Sequence, residues 1–513
     1  MKTLIKSNYT IKFGTDGWRG VIARDFTFAN LRRVARGLVN FILEQKKTRD
    51  IGTTEIVIGY DRRFLSKDFA SEFARVVSSC GARTILSREE ITTPMLSYAA
   101  KKHKAFLGVM ITASHNPPEY NGIKFKSSDG ASAKPELTSL IEKLIPPDAD
   151  NSRRSPGFCG GKSDNQPIPA DLKKTYTSKL RKSVGEFAFS GTAGKNPPRR
   201  RIKIIFDPMH GSGAGGVFEN LISGFGQFEV VEINSSRDPL FGGINPEPIK
   251  KNLSALAGEV VRQKAAAGIA IDGDGDRIGV VDDRGRYLPP HTLFPVFLEY
   301  LITGNPDITR NGCAVQGVAM GYLSERIADF YGIKLKEVPV GFKYLAEELI
   351  GNKKCFIGAE ESGGIGFGSF MDYIPERDGL AAAMFLGAII QHSDLPLSAI
   401  ADNIYKRFGF SFYERYDLHF PSENPVIPDR EKIYSAVKKF FADDKKTSVS
   451  FIDGIKIRFK KDNSWLLVRP SGTEPLVRIY SETPDAKYTS RLIEKARRII
   501  SQILPDAINT VQD

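Results

Sequence analysis

Short apolar runs alternate with longer helical stretches along most of the chain. "EIVIGYD" is followed by "DFASEFARVVSSCG", then "RTILS", "TPMLSYAAKKH" and "AFLGVMI". Apolar runs bounded by turn formers read as buried strands, so this order predicts strand, helix, strand, helix, strand. Alternation of that kind belongs to α/β units on a parallel or mixed sheet. The rhythm returns from about residue 201 with "RIKIIFD", "FEVVEIN" and "GIAIDGDGDRIGVV". It returns again from about 290, where "LFPVFLEYLI", "SERIADFYG", "FKYLAEELI" and "GLAAAMFLGAII" read as helices around short strands. After 408 the pattern changes. "FSFYERYDLHF", "DGIKIRFK", "SWLLVRP" and "VRIYSE" read as strands, with helices in "DREKIYSAVKKFFADD" and from about 486, which is an α+β arrangement.

A chain of 513 residues is too long for one core. The expected division is an α/β domain over 1–148, a Pro/Gly/Ser/Asp-rich linker over 149–166, α/β domains over 167–287 and 288–408, and an α+β domain over 409–513. No apolar stretch is long enough to span a bilayer and no signal-peptide pattern opens the chain, so a cytosolic protein without membrane partners is expected. The four cysteines, Cys80, Cys159, Cys313 and Cys355, are widely spaced and lack paired zinc spacings, which reads as reduced thiols. A formal net charge of +13 suits either nucleic acid or small anionic substrates. The basic residues are spread along the chain, so the second reading is preferred and no nucleic-acid partner is expected.

Four loops carry candidate chemistry. "ITASHNPPEYNGIK" at 111–124 leaves the strand "AFLGVMI" at about Thr112, placing Ser114 at a strand's carboxyl end, where ligands collect in open α/β sheets. Pro117 and Pro118 keep the following residues from forming a helix at once, which implies a stiff, exposed loop. His115 is expected to point away from its neighbour, and no G-x-S-x-G elbow surrounds Ser114, so a triad hydrolase is disfavoured. In "DGDGDR" at 272–277, an extended backbone would set Asp272, Asp274 and Asp276 on one face. Three hard oxygens with open positions suit Mg²⁺; an EF-hand or a charged hairpin turn are the other readings. In "RPSGTEP" at 469–475, Arg469, Ser471, Gly472 and Thr473 are the parts of an anion cradle. In "GAEESGG" at 358–364, carboxylates can accept hydrogen bonds from sugar hydroxyls, and in "VPVGFK" Lys343 follows a glycine turn from which it can reach an anion. "GSGAGG" at 211–216 also matches a dinucleotide fingerprint, with Glu232 ending the next strand, but "PMH" separates it from its strand. An NAD-linked oxidoreductase is therefore an alternative of another class.

Taken in order, "TASHNP", "DGDGDR", the "GAEESGG" loop and "RPSGTEP" resemble the α-D-phosphohexomutase superfamily, and in particular phosphoglucomutase/phosphomannomutase. The opening "FGTDGWRG" and "NGIK" at 121–124 extend the resemblance to nearly the whole chain. It implies four domains around a central cleft, three related α/β mixed-sheet domains and a C-terminal α+β domain. It also implies interconversion of hexose 1-phosphate and hexose 6-phosphate through a phosphoserine, with a sugar 1,6-bisphosphate as intermediate and activator. By the same resemblance Ser114 is the phosphoserine with His115 beside it, and Mg²⁺ is held by Asp272, Asp274, Asp276 and the serine phosphate, with Arg277 nearby. Lys124 and Arg19 fall on the proton-transfer and basic positions. Lys343, Glu360 and Ser362 fall on substrate positions, and Arg469, Ser471, Gly472 and Thr473 on the loop that holds the substrate's own phosphate. Ala359 stands where the family often has Gly, and Gly364 where several subgroups have His; both bear on which sugar is preferred. Glu361, the middle residue of Glu-Glu-Ser, resembles the glucose-selective members, with mannose possible as a second substrate and a phosphoglucosamine mutase as the alternative. A phosphosugar partner and a monomer or homodimer complete the expectation.

Overall fold

The computed structural model describes residues 9–14, 17–48, 54–147, 165–190, 201–420, 429–443, 445–471 and 476–504. Most of the 149–166 linker therefore lies outside the described residues. The chain forms two compact units, one of Met1–Pro289, Leu349–Lys353 and Gly363–Leu397, the other of Pro290–Glu348, Lys354–Ser362 and Ser398–Asp513.

The first unit contains two mixed sheets. One has the order Trp18–Val21, Tyr120–Lys126, Leu107–Ile111, Ile56–Tyr60, Thr84–Ser87, Ile168–Ala170. Its two central strands, Ile56–Tyr60 and Leu107–Ile111, are parallel and buried throughout, as their unbroken apolar sequences require. The intervening helix Thr93–His103 starts where it does because Thr92 caps it, accepting from the Met95 N–H, and Pro94 fills the first turn. It ends at Lys104 in a left-handed conformation. The other sheet runs Tyr287–Leu288, Ile278–Asp282, Ala267–Ile271, Ile202–Asp207, Phe228–Glu232. Its strands Ala267–Ile271 and Ile278–Asp282 form an antiparallel hairpin, Ile271 opposite Ile278, so the aspartate motif is the hairpin's tip. Helix Gly379–His392 is apolar around its whole circumference and buried, which marks it as a core helix. Asp378 caps it through the Leu380 and Ala381 N–H groups and also accepts from the Tyr176 and Tyr373 hydroxyls.

The second unit places strands Lys334–Val338, Cys313–Gly317 and Cys355–Ala359 in parallel. It also holds an antiparallel sheet ordered Phe412–His419, Leu476–Thr483, Trp465–Pro470, Ile455–Phe459, Thr447–Ser450, covered by helices Arg430–Phe441 and Ala486–Ile503. The fold is thus α/β with a C-terminal α+β part. Cys313 and Cys355 face each other across neighbouring strands, Cα atoms 4.5 Å apart, and are joined as a disulfide. This corrects the reading of all the cysteines as reduced thiols: sequence separation hid a pair that the parallel register brings together. Cys80 is free. Buried Glu482 accepts from the Tyr322 N–H, the Trp465 indole and the Ser411 hydroxyl, satisfying both carboxylate oxygens. Among the described residues no single helix is long and apolar enough to cross a membrane.

His291 stacks on Tyr413, ring centroids 4.4 Å apart, and burial pulls its pKa down to about 4. A histidine held neutral in the folded state stabilises the fold above its unfolded pKa of about 6.5, and loses that contribution as pH falls through 6.5 toward 4. We expect the second unit to lose on the order of 2–3 kcal/mol over that window. Thermal melts of wild type and His291→Gln from pH 7.5 to 4 should show their difference shrinking as the pH falls; a constant difference would contradict the assignment.

Candidate active site

The sequence "IDGDGDRI" makes a tight turn at the hairpin tip, closed by Asp272 N–H to Arg277 O at 3.4 Å and Gly275 N–H to Asp272 O at 2.9 Å. The extended segment expected from the alternation of aspartates is corrected: the backbone folds back, and the turn itself makes the carboxylates converge. Two glycines permit this. Gly275 has φ +73°, in the region glycine favours, and a Cβ on Gly273 would stand 2.9 Å from the Ser114 carbonyl oxygen. Asp272, Asp274 and Asp276 are all buried, and each offers an oxygen within 4.8 Å of the other two.

Asp272 Oδ1 accepts from the Asp276 and Arg277 N–H groups, and Asp274 Oδ2 accepts from the Thr93 hydroxyl at 2.6 Å. Burial first, and then Asp276 and Asp274, push the Asp272 carboxyl well above the ordinary range. For Asp276 burial acts the same way, but Arg377, Lys124 and Arg277 outweigh it and hold that group well below. Asp274 Oδ1 and Asp276 Oδ1 are buried without a hydrogen-bond partner. Buried carboxylate oxygens are rarely left so. Two carboxylates with a partnerless oxygen each, grouped with a third, fit a hard divalent cation.

Ser114 sits against this turn. Its hydroxyl donates to Asp272 Oδ2 at 2.9 Å, and its N–H donates to the Thr112 hydroxyl at 2.8 Å. The residue is fully buried with φ +55°, so the expectation of an exposed serine is corrected: the aspartate turn lies against the loop that follows strand Leu107–Ile111. His115 is also corrected. Rather than pointing away, its Nδ1 lies 3.4 Å from the Ser114 hydroxyl, because the left-handed turn at Ser114 swings the following side chain back. Loss of hydration, then Arg277, Arg19 and Lys124, hold the His115 imidazole well below its usual pKa, hence neutral. Lys124 is buried on strand Tyr120–Lys126 and donates to Asp274 Oδ2 at 2.9 Å and Asp276 Oδ2 at 3.3 Å. Arg19, on the neighbouring strand, donates to Asn116 Oδ1 at 2.5 Å. Arg277 pairs with Glu247 at 3.1 Å. All of these groups belong to the first unit.

In the second unit Glu360 is buried and accepts from the Ser362 hydroxyl at 2.5 Å. Glu361 has one buried oxygen without a partner; burial and then Glu360 raise its pKa, against the pull of Arg415 and Arg469. Arg469 Nε donates to Asp453 Oδ2 at 2.7 Å, and the same oxygen accepts from the Val340 N–H at 3.1 Å. Asp453 therefore ties the "VPVGFK" and "RPSGTEP" loops together. Lys343 Nζ lies 4.8 Å from the centroid of the Tyr344 ring. Ser471 is buried and its N–H closes the loop onto Leu476 O. Gly472 and Thr473 lie outside the described residues.

Family models described as phosphoglucomutase/phosphomannomutase match the chain in series: alpha/beta/alpha domain I over 10–151, domain II over 175–285, domain III over 289–408 and the C-terminal domain over 426–499. The chain belongs to the phosphoglucomutase/phosphomannomutase family. It is a phosphohexomutase-superfamily enzyme of the isomerase class. A Thermococcus kodakarensis phosphoglucomutase/phosphomannomutase is 28% identical over 492 residues, covering 96% of this chain and 99% of that protein. A Dictyoglomus thermophilum phosphoglucosamine mutase is 30% identical over 499 residues, covering 95% of each. The crystal structure of a Thermus thermophilus protein described as a candidate phosphomannomutase superposes with TM-score 0.78 at 30% identity, over 96% of this chain and all of that one.

Family membership leaves no support for the oxidoreductase alternative, and the "GSGAGG" loop shows why. Glu232 accepts from the Gly215 and Gly216 N–H groups at 3.2 and 3.0 Å, so a carboxylate of the chain itself occupies the amides that a dinucleotide phosphate would need. The fingerprint spacing is met, but its anion is internal. Sequence reasoning also missed several groups on or near the aspartate turn. Arg377 Nη2 donates to Asp276 Oδ2 at 2.9 Å, Thr93 anchors Asp274, and buried Lys126 pairs with Glu376 at 2.6 Å. Arg377 lies in "PERDGL", where Asp378 reads as a helix cap and nothing marks the arginine before it. Thr93 reads only as the start of its helix.

Proposed function

We propose that this enzyme interconverts hexose 1-phosphate and hexose 6-phosphate, with glucose preferred, through a phosphoryl group carried by Ser114. The observation that supports this most is the Ser114 hydroxyl held 2.9 Å from Asp272 within the aspartate turn, while Lys124 spans the other two aspartates. Mg²⁺, held by Asp272, Asp274 and Asp276, supplies charge neutralisation at the phosphoryl group when bound. Ser114 gives its phosphoryl group to the free hydroxyl of a hexose monophosphate. The serine oxygen–phosphorus bond breaks and a sugar oxygen–phosphorus bond forms; the sugar hydroxyl gives up its proton and the departing serine oxygen takes one up to end as the Ser114 hydroxyl. Lys124 is the group we assign to the sugar hydroxyl's proton, as acid in one direction and base in the other. The resulting 1,6-bisphosphate, turned end for end, returns its other phosphoryl group to Ser114. His115, with Nδ1 3.4 Å from the Ser114 hydroxyl, is placed to donate to or accept from the serine oxygen. Arg19 orders Asn116 in the same loop.

Glu360 is assigned to the sugar's 3- and 4-hydroxyls, which glucose, mannose and glucosamine share. Arg469, Ser471, Gly472 and Thr473 are assigned to the non-reacting phosphate, and Lys343 to a substrate anion. A phosphoglucosamine mutase is the second reading, favoured by the buried, partnerless oxygen of Glu361, which could meet an ammonium group. A coupled assay over several sugar 1-phosphates, with and without a sugar bisphosphate, separates the two. We expect kcat/KM to fall in the order glucose 1-phosphate, mannose 1-phosphate, glucosamine 1-phosphate. Glu360→Ala should lower all three together by roughly 10- to 100-fold, the effect of losing charge-assisted hydrogen bonds to the sugar. A higher kcat/KM for glucosamine 1-phosphate would make the second reading the better one.

A further inference from the structure

Arg63 lies in "GYDRRF", between strand Ile56–Tyr60 and helix Ser66–Ser79, and its side chain is fully buried. It makes no hydrogen bond or ion pair with the three aspartates, although Asp274 and Asp272 act on its charge through space. Its guanidinium instead gathers main-chain carbonyls of the serine loop: Nη2 donates to Ser114 O at 2.6 Å and Asn116 O at 2.5 Å, and Nη1 donates to Pro117 O at 2.8 Å and Tyr120 O at 3.0 Å. One planar fork thus meets four carbonyls, three in the loop and that of Tyr120 at the start of the next strand, supplying from a side chain the donors that buried main-chain oxygens need. The fork is itself fixed. Its Nε faces Asp61 Oδ2 at 3.4 Å, and Asp61 Oδ1 accepts from the Arg63 N–H and the Ser66 hydroxyl. The Ser66 hydroxyl in turn accepts from Asn121, and the guanidinium lies over the Phe241 ring at 5.0 Å.

The loop's other ties are single contacts, among them Ser114 N–H to the Thr112 hydroxyl, Asn116 N–H to Ala113 O and the Arg19–Asn116 bond, whereas Arg63 gathers four carbonyls at once. Ser114 is held at φ +55°, a conformation that costs a non-glycine residue energy and persists only where its surroundings impose it. Pro117 and Pro118 have no N–H with which to build a ladder. We propose that Arg63 is a positioning residue whose guanidinium fixes the main chain of residues 114–120 and thereby sets where the Ser114 oxygen stands for transfer. The inference rests on reading Ser114 as the phosphoryl carrier, and it adds a group whose hydrogen bonds reach the nucleophile's loop through main-chain carbonyls. A lysine in this place keeps the charge, but its tetrahedral ammonium has three donors and no planar fork, so it cannot hold four carbonyls at once.

Two readouts on Arg63→Lys and Phe241→Leu test this: hydrogen–deuterium exchange of the peptide spanning 112–121, and steady-state kinetics on glucose 1-phosphate with glucose 1,6-bisphosphate. In Arg63→Lys we expect faster exchange confined to that peptide, kcat lower by about 100-fold, as an ångström-scale misplacement of a reacting group produces, and KM within about threefold of wild type. Phe241→Leu, which removes only the ring beneath the fork, should move both readouts in the same direction by a smaller factor, and it decides the matter if Arg63→Lys does not fold. Unchanged exchange in the loop of a folded variant overturns the proposal. So does faster exchange across the whole first domain with kcat per folded molecule unaltered, since that marks a merely structural residue. If wild type shows no mutase turnover, the function proposed above fails, while the exchange result still decides whether Arg63 orders the loop.

Discussion

Ser114→Ala is expected to lower mutase turnover by roughly four orders of magnitude or more, as removal of a covalent nucleophile does elsewhere, with the fold retained. The hydroxyl is the only group lost. Its partners are Asp272 Oδ2 at 2.9 Å and His115 Nδ1 at 3.4 Å, and deleting such a buried hydroxyl costs about 1–3 kcal/mol. Asp272 is also bonded to the Asp276 and Arg277 N–H groups, so the turn keeps its shape without the serine. Arg63 holds the loop through carbonyls that the substitution leaves in place. Circular dichroism and a melting temperature within a few degrees of wild type, together with a coupled assay at saturating bisphosphate, check both halves. Turnover like that of wild type would end the phosphoserine account.

Asp274→Asn is expected to lower kcat by about 100- to 1000-fold, the range seen when one preorganised charge is removed from a reaction centre, and to change KM much less. Asp274 Oδ2 already accepts from Thr93 and Lys124 at 2.6 and 2.9 Å, and its Oδ1 is one of the two orphan oxygens. The amide removes a charge from the proposed cation site and places an N–H₂ group either against the Lys124 ammonium or toward the ion. Charge that develops during transfer then goes unmatched, whereas contacts to the sugar are untouched; this is why the loss falls on kcat. Activity measured across Mg²⁺ concentrations after chelation should show the variant needing more metal and reaching a lower plateau. A variant that matches wild type at every Mg²⁺ concentration would remove the metal assignment.

The strands and helices were legible because their apolar spacing is local. "TPMLSYAAKKH" occupies the helix Thr93–His103, and the last helix begins at Ala486 as its pattern indicates. The aspartate motif was legible in composition but not in shape, since alternation suits a strand while Gly273 and Gly275 make it a turn. The exposure of Ser114 was misread because burial depends on the aspartate turn, which is more than 150 residues away in sequence. Contacts of that range also hid Arg63, Arg377 and Asp453: each is an ordinary charged residue in its own stretch and gains meaning only from a loop brought to it by the fold. The Cys313–Cys355 pair was missed for the same reason, as spacing alone says nothing about parallel register. The sugar preference stayed least legible, because Glu360 addresses hydroxyls common to the candidate hexoses and no contact near C2 is marked by sequence.

The central claim is that Ser114 carries the phosphoryl group between the two ends of the sugar. The direct measurement is to label the enzyme with glucose 1,6-bisphosphate carrying ³²P, isolate it free of sugar, map the label by peptide mass, and follow one turnover on unlabelled glucose 1-phosphate with Mg²⁺. The account predicts label on Ser114 that passes to glucose bisphosphate and then to glucose 6-phosphate, with little released as inorganic phosphate. Label on another residue, or label from Ser114 that appears chiefly as inorganic phosphate, would contradict it.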